Sequence, residues 1–266
     1  MAGLSPGRAV LRLDAVSRGF RVGGSLVRAM DGVDLEVKRG ETLVIVGPSG
    51  TGKSVTLKHM VRLMTPDEGR VVVDGDVVSE ATGSALEKIR EKFGVLFQGG
   101  ALLEWLNVGE NVALPLREKT ALTEDEIQTK VREKLSLVGM EGDMEKYPAE
   151  ISGGMRKRVG LARAIVRDPQ IILYDEPTSG LDPVSSRTID RLIESLRGEL
   201  GVTSVVVSHD LHSALSIGTR IAMLYGGHIC ELATPEAFVK SQNDEVRQFL
   251  EAQFITRRGE WEKHGV

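Results

Sequence analysis

Residues 47–54 read GPSGTGKS and match the phosphate-loop pattern G-x-x-x-x-G-K-S. An apolar run precedes the loop at residues 43–46, and a helical pattern begins near Val55. In a strand–loop–helix unit of this kind, backbone N–H groups and the positive end of the helix surround phosphate oxygens. The segment therefore predicts a nucleoside triphosphate site. Its residues are Gly47, Pro48, Ser49, Gly50, Thr51, Gly52, Lys53 and Ser54.

Two side chains of this loop have predicted chemical roles. We expect Lys53 to pair with the outer phosphates and Ser54 to ligate Mg²⁺. The alternative is a glycine-rich turn that binds no ligand, and the strand before the loop and the helix after it argue against that alternative. The predicted ligands are therefore a nucleoside triphosphate and Mg²⁺.

The length and composition of the chain limit the fold classes and the kinds of partner that are possible. The 266 residues are 41% hydrophobic and 27% charged, which suits one large α/β domain. The net charge of −4 and the pI near 5.8 give no overall basic field, so charge does not suggest a nucleic-acid partner. No window approaches the ~18 apolar residues of a membrane span, and residues 1–10 lack a signal-peptide core. We expect a soluble, cytosolic chain that reaches a membrane through a partner.

The hydrophobic pattern predicts two kinds of sheet. Residues 10–16 and 33–37 alternate apolar and polar side chains, as strands of an antiparallel layer do. Later runs are apolar throughout, as strands of a parallel sheet buried on both faces are. They lie at residues 71–73, 94–97, 171–174, 204–207 and 221–224. The predicted fold class is α/β, a phosphate-loop NTPase of RecA-like type with a mostly parallel sheet and an N-terminal antiparallel β layer.

Helical patterns set the predicted domain organisation. Residues from about 98 to 166 are helix-rich, with Thr123 and Glu126 as a capping box, and we expect a helical subdomain inserted in the core. A further helix covers residues 185–200 and stops at Gly201, and two short ones follow Pro235. We assign residues 1–255 to one nucleotide-binding domain and 256–266 to a mobile C-terminal tail. The single cysteine, Cys230, lies in a predicted strand as a small buried hydrophobe.

Two carboxylates follow the apolar run at 171–174. Ligands of parallel α/β sheets collect at the carboxyl ends of strands, where the phosphate loop also begins. Asp175 is therefore predicted to hold Mg²⁺, directly or through water, and Glu176 to polarise the attacking water. The alternative for an isolated Asp-Glu pair is a solvated turn.

A second candidate anion site lies at the start of another helix. Ser152, Gly153 and Gly154 present free N–H groups there, and basic residues at 156, 157, 158 and 163 are expected to line one side of the helix. Because one protomer does not need two triphosphate sites, we predict a head-to-tail homodimer in which each turn closes on the partner's triphosphate. An ordinary helix N-cap is the alternative.

The motif order resembles the nucleotide-binding subunit of ATP-binding-cassette transporters over nearly the whole chain. The motifs are GPSGTGKS, Gln98, ISGGM at 151–155, ILYDEP at 172–177, SGLD at 179–182 and SHD at 208–210. The resemblance implies that Gln98 reaches the metal and senses the permease, and that Asp182 crosses the dimer interface. It implies that His209 contacts the terminal phosphate and acts in catalysis with Glu176. It also places Phe20, after the first strand, against adenine, with a core role as the alternative.

The segment from Gly94 to Glu118, together with Met155, is similar to the ATPases of Mla- and Mce-type phospholipid transporters. This resemblance implies an MlaE-type integral-membrane permease, an MCE-domain lipid-binding protein and, in some members, a small STAS-type subunit. It places the chain at the cytoplasmic face of the inner membrane, in phospholipid movement between inner and outer membranes. Residues 99–116, with Trp105 and Leu106, are expected to receive a permease helix, or Trp105 and Leu106 pack within the helical region.

Three other functions stay open at this point. A small-solute importer, for amino acids for example, has an ATPase with the same motifs. A soluble cassette ATPase acting on nucleic acid or ribosomes usually has two cassettes or long coiled-coil insertions, and this chain has neither. A non-hydrolytic nucleotide-binding module is disfavoured because Glu176 and His209 are both present.

Overall fold

The computed structural model describes residues 9–253 of the chain. The strands are β1 (Ala9–Val22), β2 (Ser25–Lys38), β3 (Thr42–Val46), β4 (Glu68–Val73), β5 (Asp76–Val77), β6 (Phe93–Leu96), β7 (Ile171–Asp175), β8 (Thr203–Val207), β9 (Arg220–Tyr225) and β10 (His228–Ala233). The α-helices are α1 (Lys53–Met60), α2 (Gly83–Arg90), α3 (Val108–Lys119), α4 (Glu124–Leu137), α5 (Gly153–Ile165), α6 (Pro183–Leu200), α7 (Leu211–Ile217), α8 (Pro235–Val239) and α9 (Asp244–Ala252). The described residues form two compact units, one of residues 9–89 with 205–253 and one of residues 90–204.

The first unit contains an antiparallel sheet in the order β2-β1-β4-β5. β1 pairs with β2 on one side and with β4 on the other, where Leu11 lies opposite Val73 and Leu13 opposite Val71. The predicted N-terminal antiparallel layer is present, but the placement of residues 71–73 in the parallel sheet is wrong. All three of these valines are buried, so the run lacks the alternation that marks a strand with one solvent face.

The first unit also contains the strands that lead to the phosphate loop. β3 pairs in parallel with β9, and β10 extends β9 in antiparallel fashion. On the other side of β3, the backbone N–H of Ser208, just after β8, donates to the carbonyl of Ile45 at 3.1 Å. Every residue of β3 is buried, which explains why residues 43–46 are all apolar.

The second unit combines β6 and β7 with four helices. β6 and β7 pair in parallel from Phe93–Ile171 to Leu96–Tyr174. A Cβ added to Gly94 would lie 2.2 Å from the carbonyl oxygen of Ala164, so glycine allows β6 to contact α5 closely. Residues 98–166 include α3, α4 and α5, and the predicted capping box of Thr123 and Glu126 is confirmed at the start of α4.

The C-terminal part matches the predicted elements. α6 ends at Gly201, whose φ of 64° suits glycine, and α8 and α9 are the two short helices. Cys230 lies half-buried in β10, with its Sγ 3.5 Å from the carbonyl oxygen of Met223, and burial raises the pKa of its thiol to about 11. Within residues 9–253, no helix has the length and apolar character needed to cross a membrane. The predicted tail at 256–266 lies outside the described residues.

Candidate functional site

The phosphate loop joins β3 to α1 through two closely packed glycines. Gly47 has φ 147°, and a Cβ there would lie 2.3 Å from the carbonyl oxygen of Leu224. Gly52, the N-cap of α1, has φ 97°, and a Cβ there would lie 2.4 Å from the carbonyl oxygen of Ala29. The loop backbone therefore packs against neighbouring strands where no side chain fits, and its shape is fixed by those contacts.

Lys53 folds over this loop. Its side chain is buried at 6% exposure, and Nζ donates to the carbonyl oxygens of Gly47 at 2.9 Å and Pro48 at 2.8 Å. The hydroxyl of Thr51 also donates to Pro48, at 2.9 Å. The loop thus places a cation at the N-terminus of α1, where the helix dipole also favours an anion. This chemistry fits a phosphate group.

A substitution of Gly50 is a control for one of Gly52, because it tests the effect of backbone conformation without the effect of close packing. Gly50 and Gly52 both have positive φ, at 81° and 97°, but a Cβ at Gly50 meets no atom within 4 Å. Gly50→Ala should cost about 1–2 kcal/mol of unfolding free energy from its left-handed backbone alone. Gly52→Ala should cost at least ~2 kcal/mol more, because its Cβ overlaps the Ala29 carbonyl. Urea unfolding measures the loss of unfolding free energy in both variants. Equal losses in the two variants would contradict the packing argument.

His209 lies at the same sheet edge of the first unit as the phosphate loop. It follows Ser208, whose N–H bonds to Ile45, and the loop begins two residues after Ile45. Asp210 caps α7 by accepting from the N–H groups of His212 and Ser213 at 2.9 and 3.2 Å. His209 is exposed to solvent. Its contact with the terminal phosphate stays a prediction.

Phe20 lies within β1 rather than after it, which corrects its predicted position. The guanidinium of Arg18 lies over the Phe20 ring, 5.2 Å from its centroid, and pairs with Asp67 at 2.5 Å. A hydrogen bond from the N–H of Gly19, together with Arg18, lowers the pKa of the Asp67 carboxyl. The ring is half-buried and held on one face by a cation. Adenine stacking by Phe20 stays a prediction.

In the second unit, the predicted catalytic and metal-binding residues lie at the carboxyl ends of two neighbouring strands, β6 and β7. Leu96 of β6 pairs with Tyr174 of β7, so Gln98 and the Asp175–Glu176 pair follow the same edge of this two-strand ladder. Gln98 is exposed, and both carboxylates are half-buried. Glu176 has a φ of 50°, a left-handed backbone that is uncommon outside glycine and recurs at functional sites.

Lys157 is a functional candidate, although the sequence predicts it only as part of a basic helix face. It is 3% exposed, and its Nζ donates to the backbone carbonyl of Glu176 at 3.0 Å. Burial lowers the pKa of its ammonium, and the carboxylates of Asp175 and Glu176 oppose that shift. Lys157 therefore holds the unusual Glu176 backbone and places a positive charge near both carboxylates. No sequence signal distinguishes it from its basic neighbours.

The other basic residues of α5 do not line one side of the helix, so this expectation is wrong. Arg156 pairs with Glu104, and Arg158 donates to the carbonyls of Val138 and Gly139. Arg163 donates to the Gly100 carbonyl. At 100° per residue, Arg158 lies about 200° around the helix from Arg156, whereas Arg163 lies only about 20° from it, and each of the three side chains bonds a different local partner.

The predicted Ser-Gly-Gly turn starts α5 beside the start of α6. Ser152 caps α5 by accepting from the N–H of Met155 at 3.3 Å, and a Cβ at Gly154 would lie 3.3 Å from the Ser185 side chain. Gly153 is exposed at this turn. Asp182 caps α6, accepting from the N–H groups of Val184 and Ser185 and from the Ser185 hydroxyl. These bonds lower the pKa of Asp182, and its role across a dimer interface stays a prediction.

The predicted Mg²⁺ donors are the Ser54 hydroxyl, the Gln98 amide oxygen and the Asp175 carboxylate. All three are oxygen donors, which fits Mg²⁺, an ion that completes its shell with water and phosphate oxygens. Within the described range 9–253, no cluster of three or more His, Cys, Asp and Glu residues offers an all-protein metal site. Oxygen donors of this kind would suit Mg²⁺ that arrives with the phosphates of a nucleotide.

Sequence comparison matches residues 30–179, more than half of the chain, to the family described as ABC transporter. The probable ribonucleotide transport ATP-binding protein mkl of Mycobacterium tuberculosis is 46% identical over 228 residues, 86% of this chain and 64% of that protein. The match thus spans less than two thirds of the mycobacterial relative. The methionine import ATP-binding protein MetN 1 of Listeria monocytogenes is 37% identical over 91% of this chain and 71% of its own length.

Two further relatives match most of both chains. The intermembrane phospholipid transport system ATP-binding protein MlaF of Haemophilus influenzae is 40% identical over 84% of each chain. Among solved structures, the dimeric, post-hydrolysis ATP-binding cassette MJ0796 bound to ADP and Pi has a TM-score of 0.78 and 35% identity. It covers 85% of this chain and 98% of that one. The α/β cassette fold predicted from the sequence is thereby confirmed.

Proposed function

Because this chain belongs to the ABC transporter family, we propose that it is the ATP-hydrolysing subunit of a transporter that moves phospholipid between inner and outer membranes. The phosphate loop supports the ATPase: a buried Lys53 lies over a glycine loop shaped by strand contacts. The similarity to MlaF, which extends over 84% of both chains, supports phospholipid as the substrate.

Nucleotide binding follows from the first unit. Lys53 exchanges its bonds to the loop carbonyls for the outer phosphates of ATP, and the N–H groups at the start of α1 bind the same charge. Phe20 stacks on adenine with Arg18 behind it, and His209 hydrogen-bonds the terminal phosphate. When bound, Mg²⁺ neutralises phosphate charge, with Ser54, Gln98 and Asp175 as its protein donors.

Hydrolysis follows from the second unit. Glu176 accepts a hydrogen bond from the attacking water and orients it in line with the γ-phosphate. Lys157 keeps the Glu176 backbone in its left-handed conformation, so the carboxylate is aimed before ATP arrives. In a homodimer, the Ser152-Gly153-Gly154 turn of the partner binds the transferring phosphoryl group through its N–H groups. Closure of the dimer then changes the conformation of the permease.

Lys157→Met tests whether Lys157 orients the Glu176 carboxylate. The variant keeps an unbranched, buried side chain but loses the bond to the Glu176 carbonyl and the charge. We expect kcat to fall about tenfold with KM for ATP unchanged within about twofold, because only the water-orienting group is displaced. Lys130→Met, which removes an ion-paired lysine from α4, is the control and should keep kcat. An unchanged kcat in Lys157→Met would rule out the role.

The proposed partners are those expected if the substrate is phospholipid. They are a second copy of this chain, an MlaE-type permease, an MCE-domain protein and, optionally, a STAS-type subunit, and the permease holds the chain at the cytoplasmic face of the inner membrane. The exposed Trp105, at 73%, is the proposed permease contact. A small-solute importer is the alternative, and the names of mkl and MetN 1 favour it.

Co-purification distinguishes phospholipid transport from small-solute import and from a soluble ATPase function. The chain is co-expressed with MlaE-type permeases and, in parallel, with small-solute permeases, and each captured complex is assayed for phospholipid and ATP turnover. We expect capture of an MlaE-type permease carrying phospholipid, with turnover abolished by Glu176→Gln. Capture of a small-solute permease alone would overturn the lipid assignment and keep the ATPase. Salt-sensitive binding of nucleic acid without either permease would favour the soluble ATPase class.

A further inference from the structure

The C-terminal end of α9 contacts the loop that carries His209. Through Oε1, the side-chain amide of Gln253 accepts a hydrogen bond from the backbone N–H of Leu211 at 3.0 Å. Through Nε2, it donates to the backbone carbonyl of His209 at 2.6 Å. One side chain therefore binds the peptide groups on both sides of Asp210, and all of these residues belong to the first unit.

These two bonds act on a short loop in which the N–H of Asp210 also donates to the Ser208 hydroxyl at 3.0 Å. Ser208 is tied to β3 through Ile45, and Asp210 fixes the start of α7. His209 lies between these points with its side chain exposed. Because the peptide planes on either side of a residue fix its Cα–Cβ direction and limit its rotamers, a bond to the His209 carbonyl also restricts the directions open to the imidazole.

α9 is itself anchored, so it can act as a rigid support. Asn243 caps the helix and donates from Nδ2 to the carbonyl of Cys230 at 3.1 Å. Val246 and Leu250 are buried. The helix thus delivers Gln253 to the loop from a fixed position on β10.

We propose that Gln253 is a positioning residue for His209, through which the C-terminal helix controls ATP turnover. This proposal rests on the proposed function, since His209 is itself assigned to the terminal phosphate. The amide is required because the loop presents one donor and one acceptor. A carboxylate at this position accepts from Leu211 but sets a negative oxygen against the His209 carbonyl, and regains a donor only when protonated.

The test uses the 266-residue chain and its own ATPase activity across pH ~5.5–8.5. At pH 8, Gln253→Glu should lower kcat about three- to tenfold with KM for ATP within about twofold. The ratio to wild type should recover towards low pH, as the carboxyl takes up its proton. Gln253→Ala should lower kcat at every pH without recovery. Gln242→Glu, a glutamine before α9 whose amide bonds to the Lys240 carbonyl, is the charge-matched control and should keep wild-type kcat.

A double variant identifies the residue through which Gln253 acts. In a His209→Ala background, Gln253→Glu should cause no further loss, because the side chain that it aims is gone. Additive losses, a loss equal at all pH values, or wild-type kcat in Gln253→Glu would overturn the positioning role. If His209→Ala alone keeps wild-type turnover, the assignment of His209 in the proposed function fails instead.

Discussion

Glu176→Gln should lower ATP turnover at least a hundredfold while ATP affinity stays within about twofold. The substitution keeps the size of the side chain and its half-buried position, but an amide oxygen is a far weaker proton acceptor than a carboxylate. Removal of a general base typically costs a factor of about 10²–10⁴. Phosphate release measures turnover, and a fluorescent nucleotide measures affinity.

The same variant should accumulate as a closed dimer with ATP, because the nucleotide binds but is not consumed. Gel filtration with ATP should show the dimer for Glu176→Gln and less of it for the wild type. Glu194→Gln, an exposed change on α6, is the charge-matched control and should behave as the wild type. Turnover of Glu176→Gln within tenfold of wild type would refute the role of Glu176.

Lys53→Ala should weaken ATP binding itself rather than the chemical step. The buried ammonium is the cation of the phosphate loop, and truncation of one partner of a buried charge contact costs about 2–5 kcal/mol. That range corresponds to a loss of ATP affinity of about thirtyfold or more. Titration calorimetry with ATP measures the loss.

The neighbouring Lys58 supplies the control. It lies on the same helix but is exposed, so Lys58→Ala should keep ATP affinity while removing the same charge. The thermal midpoint of Lys53→Ala must be recorded too, because Lys53 also bonds two loop carbonyls. A folded Lys53→Ala variant with unchanged affinity would exclude the phosphate-loop assignment.

Local patterns explain which parts of this fold were predictable. The phosphate loop, the capping box at Thr123 and the stop at Gly201 depend on a few adjacent residues, and these predictions agree with the structure. Residues 71–73 were misplaced because an apolar run records burial but not the direction of the neighbouring strand.

Contacts between residues that are far apart in the chain could not be predicted from the sequence. Lys157 and Glu176 are separated by 19 positions, and Gln253 and His209 by 44. Neither contact leaves a periodic or spaced signature, because each depends on how whole elements pack. The Gly52–Ala29 approach is a further case: the sequence predicts a glycine loop but not the strand against which it packs.

The single cysteine makes this chain convenient for spectroscopy. Because burial raises the thiol pKa of Cys230 to about 11, very little of this side chain is the reactive thiolate near neutral pH. A cysteine introduced at an exposed position such as Val184, which is 76% exposed, should therefore react with maleimide probes far faster than Cys230. Paired fluorophores or spin labels can thus be attached to the native background, and distances between protomers can be followed through the ATP cycle without first removing the natural thiol.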